Sequence, residues 1–251
     1  MASDRDLAER YHFDDFTEDG YRRALAAAKR SYSFEPFGTE SGEPHVLWRH
    51  DVDISVHRAL RLATIEAEEG VRSTYFFLLR SEYYNLLENR VLARAREILE
   101  LGHWLGLHFD PSTFDPHSPT EFERGLIRER DFLSDLLERP IEAFSFHNPT
   151  IHDFDYRMDR VAGMLNTYGR GIDARYTYVS DSNGIWRHSR LIEVLEAAEE
   201  PRLHVLTHPE WWQARAMSPR ERLARAIDGR AENSRRAWDE LLERWGRENV
   251  G

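Results

Sequence analysis

The chain has 251 residues, with 34 Lys and Arg against 45 Asp and Glu, a formal net charge of −11. A surface that acidic opposes a phosphate backbone, so no nucleic-acid partner is expected. The sequence has no cysteine, which excludes disulfides, thiolate metal sites and thiol catalysis. Any metal must be held by His, Asp or Glu.

Hydrophobic residues make up 41% and aromatics 12%, enough for a core. No stretch approaches the roughly 18 apolar residues of a membrane span, and the opening MASDRDLAER lacks the apolar run of a secretion signal. A cytoplasmic location is expected. No tandem repeat or linker divides the chain, so residues 1–251 are expected to form a single domain.

In chain order, residues 17–30 look helical, inside an N-terminal cover of 1–39. Residues 45–53 (HVLWRHDVD) and 72–79 (RSTYFFLL) read as strands. Leu87, Val91, Ala95 and Ile98 form a helical stripe, followed by a strand at 102–110 (GHWLGLHFD). Phe122, Leu126, Leu133 and Leu137 form a second stripe, behind a cap at Thr120 with Glu123 as its box partner. Strands follow at 143–147 (AFSFH), 176–180 (YTYVS) and 203–208 (LHVLTH). The last helix, 218–247, starts at the cap Ser218 with Pro219 in first position. Its expected buried face is Leu223, Ile227, Trp238, Leu242 and Trp245, with Gly229 as a potential interruption.

Near-continuous apolar strands alternating with helices predict an α/β fold with parallel strands; an open doubly wound sheet and a barrel both fit. No G-x-G-x-x-G or P-loop pattern occurs, so the nucleotide loops of those folds are missing.

Polar residues recur where the predicted strands end: Asp51 and Asp53, His108 and Asp110, His147 and Asn148, Asp181 and Asn183, His208. In α/β folds sites are built at those carboxyl ends. Arg49, Asp51 and Asp53 share one strand face. Two carboxylates on one face need a cation, either Arg49 as a structural ion pair or a divalent metal with one carboxylate as ligand and the other as base. His103 and His108 fall on opposite faces, so His103 is expected to be structural and His108 a ligand. His208 suits a general acid or base. Trp186, Trp211 and Trp212 read as core or as a sugar platform, with core favoured for at least one.

These residues, as ordered motifs from about residue 46 to 212, resemble the polysaccharide deacetylase superfamily (carbohydrate esterase family four) in its H-D-V-D branch. Residues 49–53 resemble its first motif, 70–77 its second strand, 102–108 its second motif and 145–149 its third. Residues 178–186 stand at its fourth motif and 203–209 at its fifth. The resemblance implies a distorted (β/α) barrel of about seven parallel strands over 45–212, and hydrolysis of an amide, usually of an N-acetyl sugar. It also implies a divalent metal, zinc first, with cobalt, nickel or manganese as alternatives. By position, Asp51 would be the base, Asp53 and His108 metal ligands and His208 the acid, with Arg49 holding Asp51. The sequence departs from the pattern at Ser112, where the family usually has a second metal-binding His, and near His147, where it usually has an Arg. His147 is expected to supply the missing ligand, with Asp110 or water as alternatives. Asn148, Asp181, Asn183, Trp186 and Trp211 are candidate contacts for a small-molecule or glycan substrate. Hydrolysis of a non-sugar amide, formamide or cyclic imide competes with this reading, as does a catalytically lapsed barrel that binds a glycan or a partner.

Overall fold

The computed structural model describes residues 4–39, 41–114, 118–148 and 157–250. The helices are α1 (Asp4–Arg10), α2 (Glu18–Lys29), α3 (Val56–Glu68), α4 (Asn89–Glu100), α5 (Pro119–Leu137), α6 (Arg170–Asp173), α7 (Leu191–Ala197) and α8 (Pro219–Arg244). The strands are β1 (Ser33–Phe34), β2 (His45–Val52), β3 (Thr74–Leu78), β4 (Trp104–Phe109), β5 (Ala143–Phe146), β6 (Arg160–Val161), β7 (Met164–Asn166), β8 (Thr177–Ser180) and β9 (Arg202–Thr207).

The strands form one sheet in the order β6-β7-β5-β4-β3-β2-β9-β8, with β1 added beside β2. From β7 to β8 the neighbours run parallel; β6 returns antiparallel to β7. In a flat sheet, strands four places apart would lie about 19 Å apart. Yet Arg49 on β2 donates hydrogen bonds to Thr167 and Tyr168, just past β7. The sheet is therefore curled into a distorted barrel. Among the described residues its two edges, β6 and β8, stay unpaired with each other.

Alternation along β2 sets the two sides of this wall. Val46 and Trp48 face outward, into an apolar layer with Tyr21, Leu25 and Ala28 of α2, Leu62 and Ile65 of α3 and Leu203 and Val205 of β9. Leu47 faces inward, with Phe76, Ala143, Leu165 and Tyr176. Gly106 makes room for that interior: a Cβ there would stand 2.4 Å from the Phe76 ring. Truncating a buried aromatic such as Trp48 would cost about 3–5 kcal/mol.

Several helix expectations need correction. α5 is capped by Ser118, whose hydroxyl accepts from the Glu121 N–H, with Pro119 behind it; Thr120 already lies inside the helix. Leu87 precedes α4 and is exposed, while Val91, Ala95 and Ile98 are buried as expected. α8 starts at Ser218 with a full capping box and runs through Gly229 without interruption. Its expected apolar face holds only in part: Leu242 is buried and Leu223 half-buried, but Ile227, Trp238 and Trp245 are exposed, and the helix's other buried residue is Arg222. α8 packs on the Pro209–Trp211 turn and meets the α4 region through the surface ion pairs Arg90–Glu240 and Glu88–Arg230, so apolar spacing overstated its burial. β7, a parallel member of the sheet, is too short to read from three residues.

Candidate metal centre

The carboxyl ends of β2, β4, β5 and β9 meet at one mouth of the barrel. β2 ends at Val52, and Asp53 follows on the turn into α3. That turn is braced: Ser81 Oγ donates to the Asp53 carbonyl (2.7 Å), and Tyr84 OH donates to the Val52 carbonyl (2.8 Å). Asp53 Oδ1 lies 3.0 Å from His108 Nε2 and 3.5 Å from His147 Nδ1, and the two nitrogens are 3.2 Å apart. One ligand atom from each of the three residues falls within 4.8 Å of the others.

The hydrogen bonding fits a cation. Asp53 Oδ1 is buried yet has no hydrogen-bond partner among the described residues. His108 Nδ1 sits 2.7 Å from Ser145 Oγ, which donates to Asp51 Oδ1 (3.1 Å). Ser145 spends its one hydrogen on Asp51, so it must accept from His108. That assigns a proton to Nδ1 and turns Nε2 toward the cluster, where the neutral ring presents the lone pair a metal ligand needs. The backbone N–H of His147 donates to the Phe109 carbonyl (2.8 Å) and ties this end of β5 to β4.

The electrostatics agree. Burial alone would push the Asp53 carboxyl up, but the facing His108, His147 and His208 hold it well below the usual carboxylate range. Burial would lower His147, yet Asp53 raises it above its ordinary value. The carboxylate is thus held ionised, as a ligand oxygen must be.

Two further groups flank the cluster. Arg49 Nη2 donates to Asp51 Oδ2 (3.2 Å), and both side chains are buried. Opposite, His208 Nδ1 is 2.6 Å from Asp181 Oδ1, and its Nε2 is 3.8 Å from Asp53 Oδ2. Burial would depress His208, but the Asp181 charge and hydrogen bond push it well above its ordinary value, so it keeps its proton at neutral pH. Glu210, two residues on, is buried with Oε2 unpartnered among the described residues. Burial, then the charge of Asp53, raises it well above the ordinary carboxylate value.

The substrate-side expectations divide. Asp181 is fully buried and accepts from the His208 N–H (2.9 Å) and Trp212 Nε1 (3.2 Å), so it positions His208. Trp186 donates to Asp15 (3.0 Å) and stacks on Phe16 at 4.9 Å, in the outer apolar layer. Trp211 packs against that same layer. Both packings follow the core reading of these tryptophans. Asn148 and Asn183 are exposed, each at positive φ, after β5 and β8. Pro149, the last residue of the third motif, lies outside the described residues. Asp110 caps its own turn, accepting from Ser112 N (2.9 Å), and stands apart from the cluster. His103 accepts from Ser73 N (3.2 Å), meets the Ala63 carbonyl at 3.0 Å and is buried, a structural role. Ser145 and Glu210 carried no assignment in the sequence. Ser145 shares its strand face with His147, a signal that could have found it.

No family model matches the chain, and no curated protein matches it. Solved structures do, at low identity. A family 4 acetyl xylan esterase from Clostridium thermocellum in complex with a cobalt ion is 13% identical (TM-score 0.47; 81% of this chain, 92% of that one). The Bc1960 peptidoglycan N-acetylglucosamine deacetylase is 12% identical (TM-score 0.48; 83% and 91%). A CE4 family pseudoenzyme from Bacillus anthracis is 15% identical (TM-score 0.42; 76% and 62%).

Proposed function

We propose that the chain is a metal-dependent amide hydrolase, and in particular an N-deacetylase of an N-acetylated sugar or sugar conjugate, working in the cytoplasm. The observation that carries this reading is the convergence of Asp53, His108 and His147 between a carboxylate pinned by an arginine and an imidazole pinned by a carboxylate. One carboxylate and two imidazoles with coordination positions to spare suit zinc first, then cobalt, nickel or manganese. When bound, such an ion polarises an acyl oxygen and acidifies a water.

The chain's own groups supply the proton transfers. Asp51 is the base. Both its oxygens already accept a hydrogen bond, but each keeps a second lone pair for the proton of the attacking water. Arg49 keeps it ionised and fixes its rotamer. His208, protonated on both nitrogens through Asp181, delivers the Nε2 proton to the leaving nitrogen. A base and an acid that must start in opposite states give a bell-shaped rate profile.

The test is metal loading. Wild type should bind one divalent ion per chain, and at 100 times Kd its melting temperature should rise by about 5–10 °C. Asp53→Ala should lose that shift, and His147→Ala should weaken the affinity at least about tenfold. Acetate release from N-acetylglucosamine derivatives should stop with a chelator and return with zinc. A wild type that takes up no divalent ion overturns the proposal.

A further inference from the structure

A cleft of about 770 Å³ lies between the β2–α3 turn, α4 and α8. That volume is typical of small-molecule sites. Its wall includes Ile54 and Ser55, the two residues after Asp53. Five arginines line it, Arg58, Arg94, Arg225, Arg230 and Arg236, together with His57, against the three carboxylates Glu221, Asp228 and Glu232. In a chain of net charge −11 this is a local reversal of sign.

With Glu18 and Glu88 set against Arg58 and Arg230, and Arg235 against Glu232, three arginines face the charges of Glu221 and Asp228, a positive surplus of one. Arg58 is held by Glu18 (3.0 Å) and the Trp212 carbonyl, and Arg230 by Glu88 (2.6 Å). Among the described residues Arg94, Arg225 and Arg236 form no ion pair; Arg94 donates to the Arg90 carbonyl (3.2 Å). Of the carboxylates, Glu221 is committed to the Ser218 cap and Glu232 lies 3.8 Å from Arg235. Burial and then the charges of Arg94, Arg58 and Arg225 hold His57 below its ordinary value, as a positive field requires. The N-terminus of α3, thirteen residues long, opens on the same wall and adds the positive end of its dipole.

An independent feature points to an occupant. Gly229 sits inside α8, where glycine costs about 0.5–1 kcal/mol relative to alanine. A Cβ there would meet nothing within 4 Å, so no neighbour in the chain requires its absence. The bare backbone faces the cleft. Glycine is the residue that lets a ligand approach a helix closely.

We infer that this cleft binds a phosphate-class anion, a diphosphate group by preference, carried by the ligand. Guanidinium forks match phosphate oxygens in pairs, and the three unpaired ones outnumber the two carboxylates, Glu221 and Asp228, left in the cleft. That the anion belongs to the substrate rests on the hydrolase proposal; the anion site itself does not.

The experiment is a calorimetric titration with inorganic diphosphate and no added divalent metal. Wild type should bind saturably, and Arg94→Ala/Arg225→Ala should weaken Kd at least about tenfold. Gly229→Leu should also weaken it, by filling the cleft while improving helix propensity, so a loss of fold would not explain the result. Zinc affinity should be unchanged in both variants, which separates this site from the metal site. Citrate, a non-phosphate anion, should bind at least about tenfold less tightly than diphosphate. A nucleoside diphosphate and vesicles carrying a lipid diphosphate are two further arms. A gain over inorganic diphosphate in either supports the site and identifies the carrier. No saturable binding by wild type, equal affinity in both variants, or citrate binding as tight as diphosphate overturns the inference.

Discussion

Strand β2 feeds two clusters of imidazole and carboxylate, one on each side of the barrel wall, and they are built on opposite terms. On the outer side His50 meets Glu66 at 2.7 Å, and Glu66 also accepts from Tyr21, Ser73 (2.7 Å) and Tyr75 (2.7 Å). Every member is buried and every acceptor is used. On the inner side Asp53 is half-buried and holds an oxygen that nothing in the described chain satisfies. Residue types do not separate the two clusters; satisfaction does. A closed network fixes structure, whereas an open one of the same composition waits for a ligand.

Glu66→Ala breaks the comparison hardest. It leaves His50 and three hydroxyls without an acceptor in a dry site and should cost about 3–5 kcal/mol in chemical denaturation. Metal affinity per folded molecule should stay the same. A loss below about 1 kcal/mol would show that the outer cluster is not what holds α3 to the sheet.

A change of pH sharpens the contrast next. Burial pushes Glu66 up, but the His50 charge and the hydrogen bonds bring it down to about 2 from 4.5. A depressed carboxyl adds stability that is complete above its unfolded value and is lost as pH falls toward the folded value. Between pH 4.5 and 2, therefore, wild type should lose roughly 3 kcal/mol through this group, and Glu66→Gln should lack that loss. Parallel stability curves for the two proteins would remove Glu66 as the cause.

Ser145→Ala has the smallest expected effect. It frees the His108 tautomer without touching a ligand atom, so metal affinity should fall about 10–100-fold. Titration against a competing chelator would measure it, and an unchanged constant would show that Ser145 does not orient the ring.

Much of this architecture is legible in the sequence because the wall strands are long and apolar. β2, β3, β4, β5 and β8 each fall within a segment chosen on composition alone, and β9 starts one residue before its segment. Asp53, His108 and His208 stand out as polar residues where an apolar run stops. Asp181 was visible for the same reason, but its task was not: a strand-end carboxylate can face a substrate or a neighbouring imidazole, and only the adjacency of β8 and β9 decides. The tryptophans stayed open between core and platform, since Trp186 lies in a loop and Trp211 on the short turn Pro209–Trp211, and no local pattern records their path over the outer layer. The arginine cleft draws on α3, α4 and α8, segments up to about 180 residues apart, so nothing in any one of them announces it.

The alternation along β2 makes the protein's structure and its chemistry hostage to the same parity. Inserting or deleting a single residue between Val46 and Asp51 would carry His50 into the lumen and drive Asp51 beneath the helices. Both clusters would fail together. The hydrogen-bonded rungs to β3 on one side and β9 on the other guard against that slip.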